Sequence, residues 1–134
     1  MAETLHAAAL IRAFVARERQ ERLLALLGSE RGRTKLRAGL AHFAGLDPRH
    51  ALPLSGADQS PGAIARGLRD RGAPATCVLL AEDATLDGRE LGLDEALQRV
   101  VGRGMGAFVS CVPGRLAYFE GEGPHERYIL ERVG

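Results

Sequence analysis

Pro74 divides this chain into two regimes of hydrophobic spacing, and a fold has to house both. Before it, apolar residues recur at intervals of three and four, the period of an amphipathic helix. After it, they come in short runs bounded by turn residues, the signature of strands. Residues 4–15 place Leu10, Ile11, Phe14 and Val15 at helical spacing. Residues 17–22 are wholly polar, so a helix there is exposed or begins afresh near Arg17. Leu23, Leu24, Leu26 and Leu27 then give an apolar face, and Gly28 offers a stop. Ser29 suits the N-cap of a further helix in which Leu36, Leu40 and Phe43 share a face, ended by Asp47-Pro48.

Residues 45–59 read as a loop carrying Pro48, Pro53, Gly56 and Asp58. Ser60-Pro61 then opens a helix with Ile64, Ala65 and Leu68 as its stripe and Gly72 as its stop. Beyond Pro74, residues 76–81 form an apolar strand covered on both faces, and 82–88 an acidic turn. Residues 94–101 are helical by the spacing of Ala96, Leu97, Val100 and Val101. Strands follow at 107–112, 115–120 and 127–132, with Pro113-Gly114 suited to a type II turn. In that hairpin Ser110 faces Ala117, Val109 faces Tyr118, Phe108 faces Phe119, Ala107 faces Glu120 and Cys111 faces Leu116.

The expected architecture is α+β: a helical N-terminal part packed on a four-stranded mixed sheet, in the order α-α-α-β-α-β-β-β. The last three strands form an antiparallel meander, and 76–112 forms a strand–helix–strand crossover. The 134 residues suit a single domain, with a helical layer over about 1–72 and a strand-rich layer over about 74–133. Apolar residues at 46% and charged residues at 26% exclude wholesale disorder.

Charge is distributed unevenly. Seventeen arginines and one lysine stand against 17 carboxylates, net +1. Residues 1–72 carry net +5 and residues 73–134 net −4. This balance excludes a strongly basic nucleic-acid binder, although residues 12–37 hold eight cations against three glutamates. Arg31, Arg33, Lys35 and Arg37 on a helix-turn-helix are the nucleic-acid alternative. Against it, residues two apart diverge by about 200° around a helix, so these cations do not share one face.

Three further constellations have the residue types for chemistry. Asp83, Thr85, Asp87, Gly88 and Asp94 fall at positions 1, 3, 5, 6 and 12 of a calcium-loop frame. The frame fails because position 12 requires a bidentate Glu and Glu95 comes one residue late; no metal site is expected. Ser110, Cys111 and His125 have the types a small cysteine- or histidine-dependent enzyme uses, with no nucleophile elbow to support them. Arg115, Tyr118, Glu120, His125 and Tyr128, around the last hairpin, are candidate ligand or partner contacts, tyrosine and arginine being frequent interface anchors. His6, His42 and His50 are isolated in sequence.

Cys77 and Cys111 lie in apolar runs, in no metal-binding spacing, and read as packed free thiols. No apolar run reaches the length of a membrane span, and the expected location is cytoplasmic. The expected function is a small non-catalytic binding or interaction module, without a cofactor, acting on a protein partner or by self-association.

Overall fold

A computed structural model describes residues 2–56, 59–123 and 125–132; Asp58, one of the loop signals, lies outside the described residues. Among the described residues, five α-helices precede or interrupt six strands: α1 (Ala2–Phe14), α2 (Arg17–Leu26), α3 (Glu30–Ala38), β1 (Ala51–Pro53), α4 (Pro61–Asp70), β2 (Thr76–Ala81), β3 (Glu90–Gly92), α5 (Leu93–Val100), β4 (Ala107–Val112), β5 (Leu116–Glu120) and β6 (Arg127–Glu131). The strands form one sheet in the order β1-β6-β5-β4-β2-β3, with every neighbouring pair antiparallel.

Local chemistry sets the helix limits. Ser29 Oγ accepts from the Gly32 amide at 3.0 Å, and Ser60 Oγ accepts from Ala63 at 3.1 Å with Pro61 at the first helical position. The chain restarts between α1 and α2, where Val15 bridges Leu46 and the Ala16 amide donates to Gly45 at 2.7 Å. The helix expected to run through Phe43 is shorter: α3 ends at Ala38, a 3-10 turn takes Leu40–His42, and Phe43 is extended.

The sheet differs from the expected four-stranded mixed one. Two three-residue strands, β1 and β3, add an edge each, and both are too short to show a period of two. β3 also removes the expected crossover between 76–81 and 107–112. The acidic turn folds β2 back on β3, registering Cys77 with Leu91, so the crossover through α5 begins from β3. β4 therefore runs parallel to β3 and antiparallel to β2, which lies between them. The meander holds its expected register from Ala107↔Glu120 to Ser110↔Ala117. A bulge at Cys111 then sets Val112, not Cys111, opposite Leu116. Gly114 takes φ +72° at the turn, as the third position of a type II turn requires.

Both faces of the sheet are buried. On one, Leu79, Val109, Leu116, Tyr118 and Ile129 pack with α4 and α5. On the other, Leu80, Phe108, Ala117, Phe119 and Leu130 pack with α1, α3 and the 3-10 turn. Gly106 lets that turn lie directly on the start of β4, since a Cβ at this position would meet the Leu40 and Ala41 backbone. Gly106→Ala therefore forces the backbone apart and is expected to lower unfolding free energy by about 1–3 kcal/mol. Gly62→Ala, in open space inside α4, should be neutral or stabilise by up to about 1 kcal/mol. Urea denaturation of both variants checks the pair; equal midpoints would contradict the close approach.

Candidate functional site

The polar run 17–22 makes α2 a helix that cannot sink into the core, and α2 buries no residue completely. Its leucines, Leu23, Leu24 and Leu26, with Leu27 just beyond, are only half-buried. α2 packs chiefly on α1 and α3, and Gly32 of α3 lies so close to Leu26 that a side chain there would strike the Leu26 backbone. Gln20 Nε2 holds the start of α2 by donating to the Val15 carbonyl at 2.9 Å.

Beneath α2 lies a cavity of about 610 Å³. Its floor consists of buried apolar side chains: Ile11, Leu36, Leu40, Leu80 and Phe108. Its rim carries the exposed cations Arg19, Arg22 and Lys35, one acid (Glu18), and His42, whose Nδ1 stands 3.0 Å from Glu122. Among the described residues no carboxylate forms an ion pair with Arg19, Arg22 or Lys35. Phe43 separates this space from a second hollow of about 530 Å³ lined by Leu46, Phe119 and Tyr128. Its ring meets Phe108 and Phe119 edge-on, at centroid distances of 5.9 and 6.0 Å.

The four cations of the nucleic-acid alternative are not displayed together. Arg33 forms a fork on Asp87, with Nε at 2.8 Å and Nη2 at 3.3 Å, and also pairs with Glu3. Arg37 reaches the same carboxylate at 3.9 Å. Burial works against the charge on Arg33, but its hydrogen bond and attraction to Asp87, with Glu3, more than offset this and raise its pKa. Arg31 and Lys35 remain exposed.

The hairpin residues also separate. Tyr118 and Glu120 are not surface contacts: they are 0% and 1% exposed, on the face covered by α4 and α5. The Tyr118 hydroxyl donates to Glu120 Oε1 at 2.7 Å, and the Gly102 amide donates to Oε2 at 2.8 Å. Arg127 Nε lies 3.4 Å from Glu120, close enough for charge attraction but not aligned for a hydrogen bond. Burial, then the bond to Glu120, pushes the Tyr118 pKa well up. Arg115 and His125 are exposed, and Tyr128 is half-buried at the second hollow. Arg115 shares a shallow hollow with Arg12 and Arg132, and the Arg132 guanidinium donates to the Ala13 carbonyl near the end of α1. Cations there answer the partial negative charge of a helix C-terminus.

Ser110 and Cys111 face opposite sides of the sheet. Ser110 Oγ is 2.6 Å from His6 Nδ1, a pairing across 104 residues that the sequence does not reveal. The space beside this pair is about 10 Å³, too small for any substrate. Cys111 packs in the opposite core near Cys77, and burial pushes both thiols up to about 12. The acidic turn spends its groups internally. Asp83 accepts from the Thr85 amide and hydroxyl, Asp87 from the Ala81 amide and Arg33, and Asp94 pairs with Arg69. Among the described residues no group of three or more His, Cys, Asp or Glu is placed to hold a metal ion, and no helix is long and apolar enough to cross a membrane.

Sequence reasoning missed the cavity. Its trace is the polar stretch followed by four leucines: a helix apolar enough to face the core and too polar at its start to enter it.

Two measurements check these environments. With both thiols near 12, dithionitrobenzoate at pH 8 should label neither cysteine in the folded chain and both in urea; fast labelling of the native form would contradict their burial. Desolvation lowers the His6 pKa below its ordinary 6.5, although Glu90 pulls the other way. The associated stability is thus complete above pH 6.5 and is lost as pH falls through the lowered folded value. His6→Asn should flatten that limb of the stability–pH curve, as measured by denaturation between pH 7 and 5 in roughly half-unit steps. No family model, no curated protein and no solved structure matches this chain.

Proposed function

We propose that this chain is a non-catalytic binding module whose ligand is a small apolar molecule seated under α2. The observation carrying this reading is the cavity of about 610 Å³ floored by the sheet residues Leu80 and Phe108. Sites for small organic ligands span about 300–1,000 Å³ and are lined mainly by apolar side chains with a few polar groups at one end. The pairs that could carry chemistry, Ser110 with His6 and the two thiols, lie outside this cavity and have no room for a substrate. A ligand there would lie between the half-buried leucines of α2 and the buried apolar floor.

A neutral fluorescent probe, 1-aminoanthracene, tests the reading. Saturable binding at one site per chain is expected, together with a higher melting temperature. A ligand at about 100 times its Kd adds about 2.7 kcal/mol to folding. Leu26→Trp places a large ring in the mouth and should weaken probe binding at least about tenfold, a loss of 1.4 kcal/mol. Absence of saturable binding, or unchanged binding in a folded Leu26→Trp variant, would overturn it.

A further inference from the structure

We propose that the natural ligand of this cavity is a single-chain fatty acid, bound with its carboxylate between Arg19, Arg22 and Lys35; the inference rests on the binding role argued above. The mouth joins two chemistries that one amphiphile satisfies. Inside are Leu36, Leu40, Leu80 and Phe108, buried and without a polar side chain among them. At the rim, Arg19 and Arg22 stand three residues apart on α2, which puts them on neighbouring positions of one helix face. Lys35 comes from α3 on the facing side.

Among the described residues these cations have no ion-pairing carboxylate, a state they share with Arg31 and Arg66 but combine with an apolar-floored cavity. Arg33 and Arg37 have Asp87, Arg69 has Asp94 and Arg71 has Glu131. Among the lining residues Glu18 is the one acid against three cations, and Glu122 beside the rim is paired with His42. A carboxylate supplies the missing charge, and arginine's planar fork matches its two oxygens. A second copy of this chain docked groove to groove would instead bring like cations together, at an electrostatic cost. One acyl chain fits a cavity of about 610 Å³ within the range that single small ligands occupy.

Displacement of 1-aminoanthracene by saturated carboxylates of increasing length, below their micelle concentrations, is the test, with the alcohol of matching length beside each. Affinity should rise about fourfold per methylene until the cavity is filled and then level off. Each carboxylate should exceed its alcohol by about tenfold in low salt, with the gap narrowing as salt screens the rim. In the Arg19→Gln/Arg22→Gln/Lys35→Gln variant, checked for folding by circular dichroism, carboxylate affinity should drop to that of the alcohol. Equal binding of acid and alcohol to the wild-type chain would overturn the fatty-acid assignment and leave the apolar site standing. Failure of the probe and both series would remove the site itself. A dimer in sedimentation, dispersed by Leu26→Arg in a chain that binds no carboxylate, would assign the face to a second copy and overturn the proposal.

Discussion

The central strands are apolar on both sides, and the rest of the molecule is arranged to keep water from both. In β2, Cys77, Leu79 and Ala81 face one way while Val78 and Leu80 face the other, and all five are buried. Burying one Leu- or Phe-sized side chain is worth about 1.5–3 kcal/mol, so neither face can be left open. α4 and α5 close one face with residues at helical spacing, among them Leu68, Leu93 and Leu97 at 0–1% exposure. The other face depends on α1, α3 and the 3-10 turn, and the helix between α1 and α3, α2, buries no residue completely. Cover there is uneven, and Leu80 and Phe108 are left flooring a cavity.

Buried carboxylates enter this framework with partners, although Arg37 Nε and Arg127 Nε are buried without a hydrogen bond. Asp87 takes the Ala81 amide and the Arg33 fork, which ties α3 to the turn between β2 and β3. Glu120, inside the opposite face, accepts from Tyr118 and Gly102 and faces Arg127. Removing one partner from such a group leaves a desolvated charge, which costs more than the bond contributed. The Arg33 tie has a consequence for the cavity as well. α3 and the sheet are joined by charge and by packing, whereas α2 is held at its start by Gln20 and along its length by half-buried leucines.

What the sequence reveals and what it hides follow from the range of each interaction. Ser29 and Ser60 cap their helices through amides three residues away, so those boundaries are legible. The meander register is legible from Ala107 to Ser110 because two adjacent strands share one turn. The three-residue strands β1 and β3 are not, and without β3 the direction of β4 relative to β2 cannot be inferred. Tyr118 misleads for another reason. β5 reads Leu-Ala-Tyr-Phe-Glu, apolar on both faces, and only the Glu120 carboxylate two residues on shows that a hydroxyl can be buried there. Arg33 and Arg37 look like their exposed neighbours because their partner Asp87 lies 54 and 50 positions away.

The two-signed charge distribution acquires a physical meaning from these pairings. Arg33, Arg37, Arg69, Arg71 and His42 belong to the cationic part of the sequence and meet Asp87, Asp94, Glu131 and Glu122 of the acidic part. The halves therefore neutralise one another across the layers of the fold, which accounts for an opposite sign on each without an external polyanion. Arg19, Arg22 and Lys35 are outside this accounting, having no ion pair among the described residues. They frame an opening of about 610 Å³ that reaches the sheet residues Leu80 and Phe108. Arg31, also exposed, is not among the residues lining this cavity, while Arg12, Arg115 and Arg132 share the shallower hollow beside the end of α1. What the proposed site joins is a set of cations without an ion-pairing carboxylate and a cavity floored by buried apolar side chains.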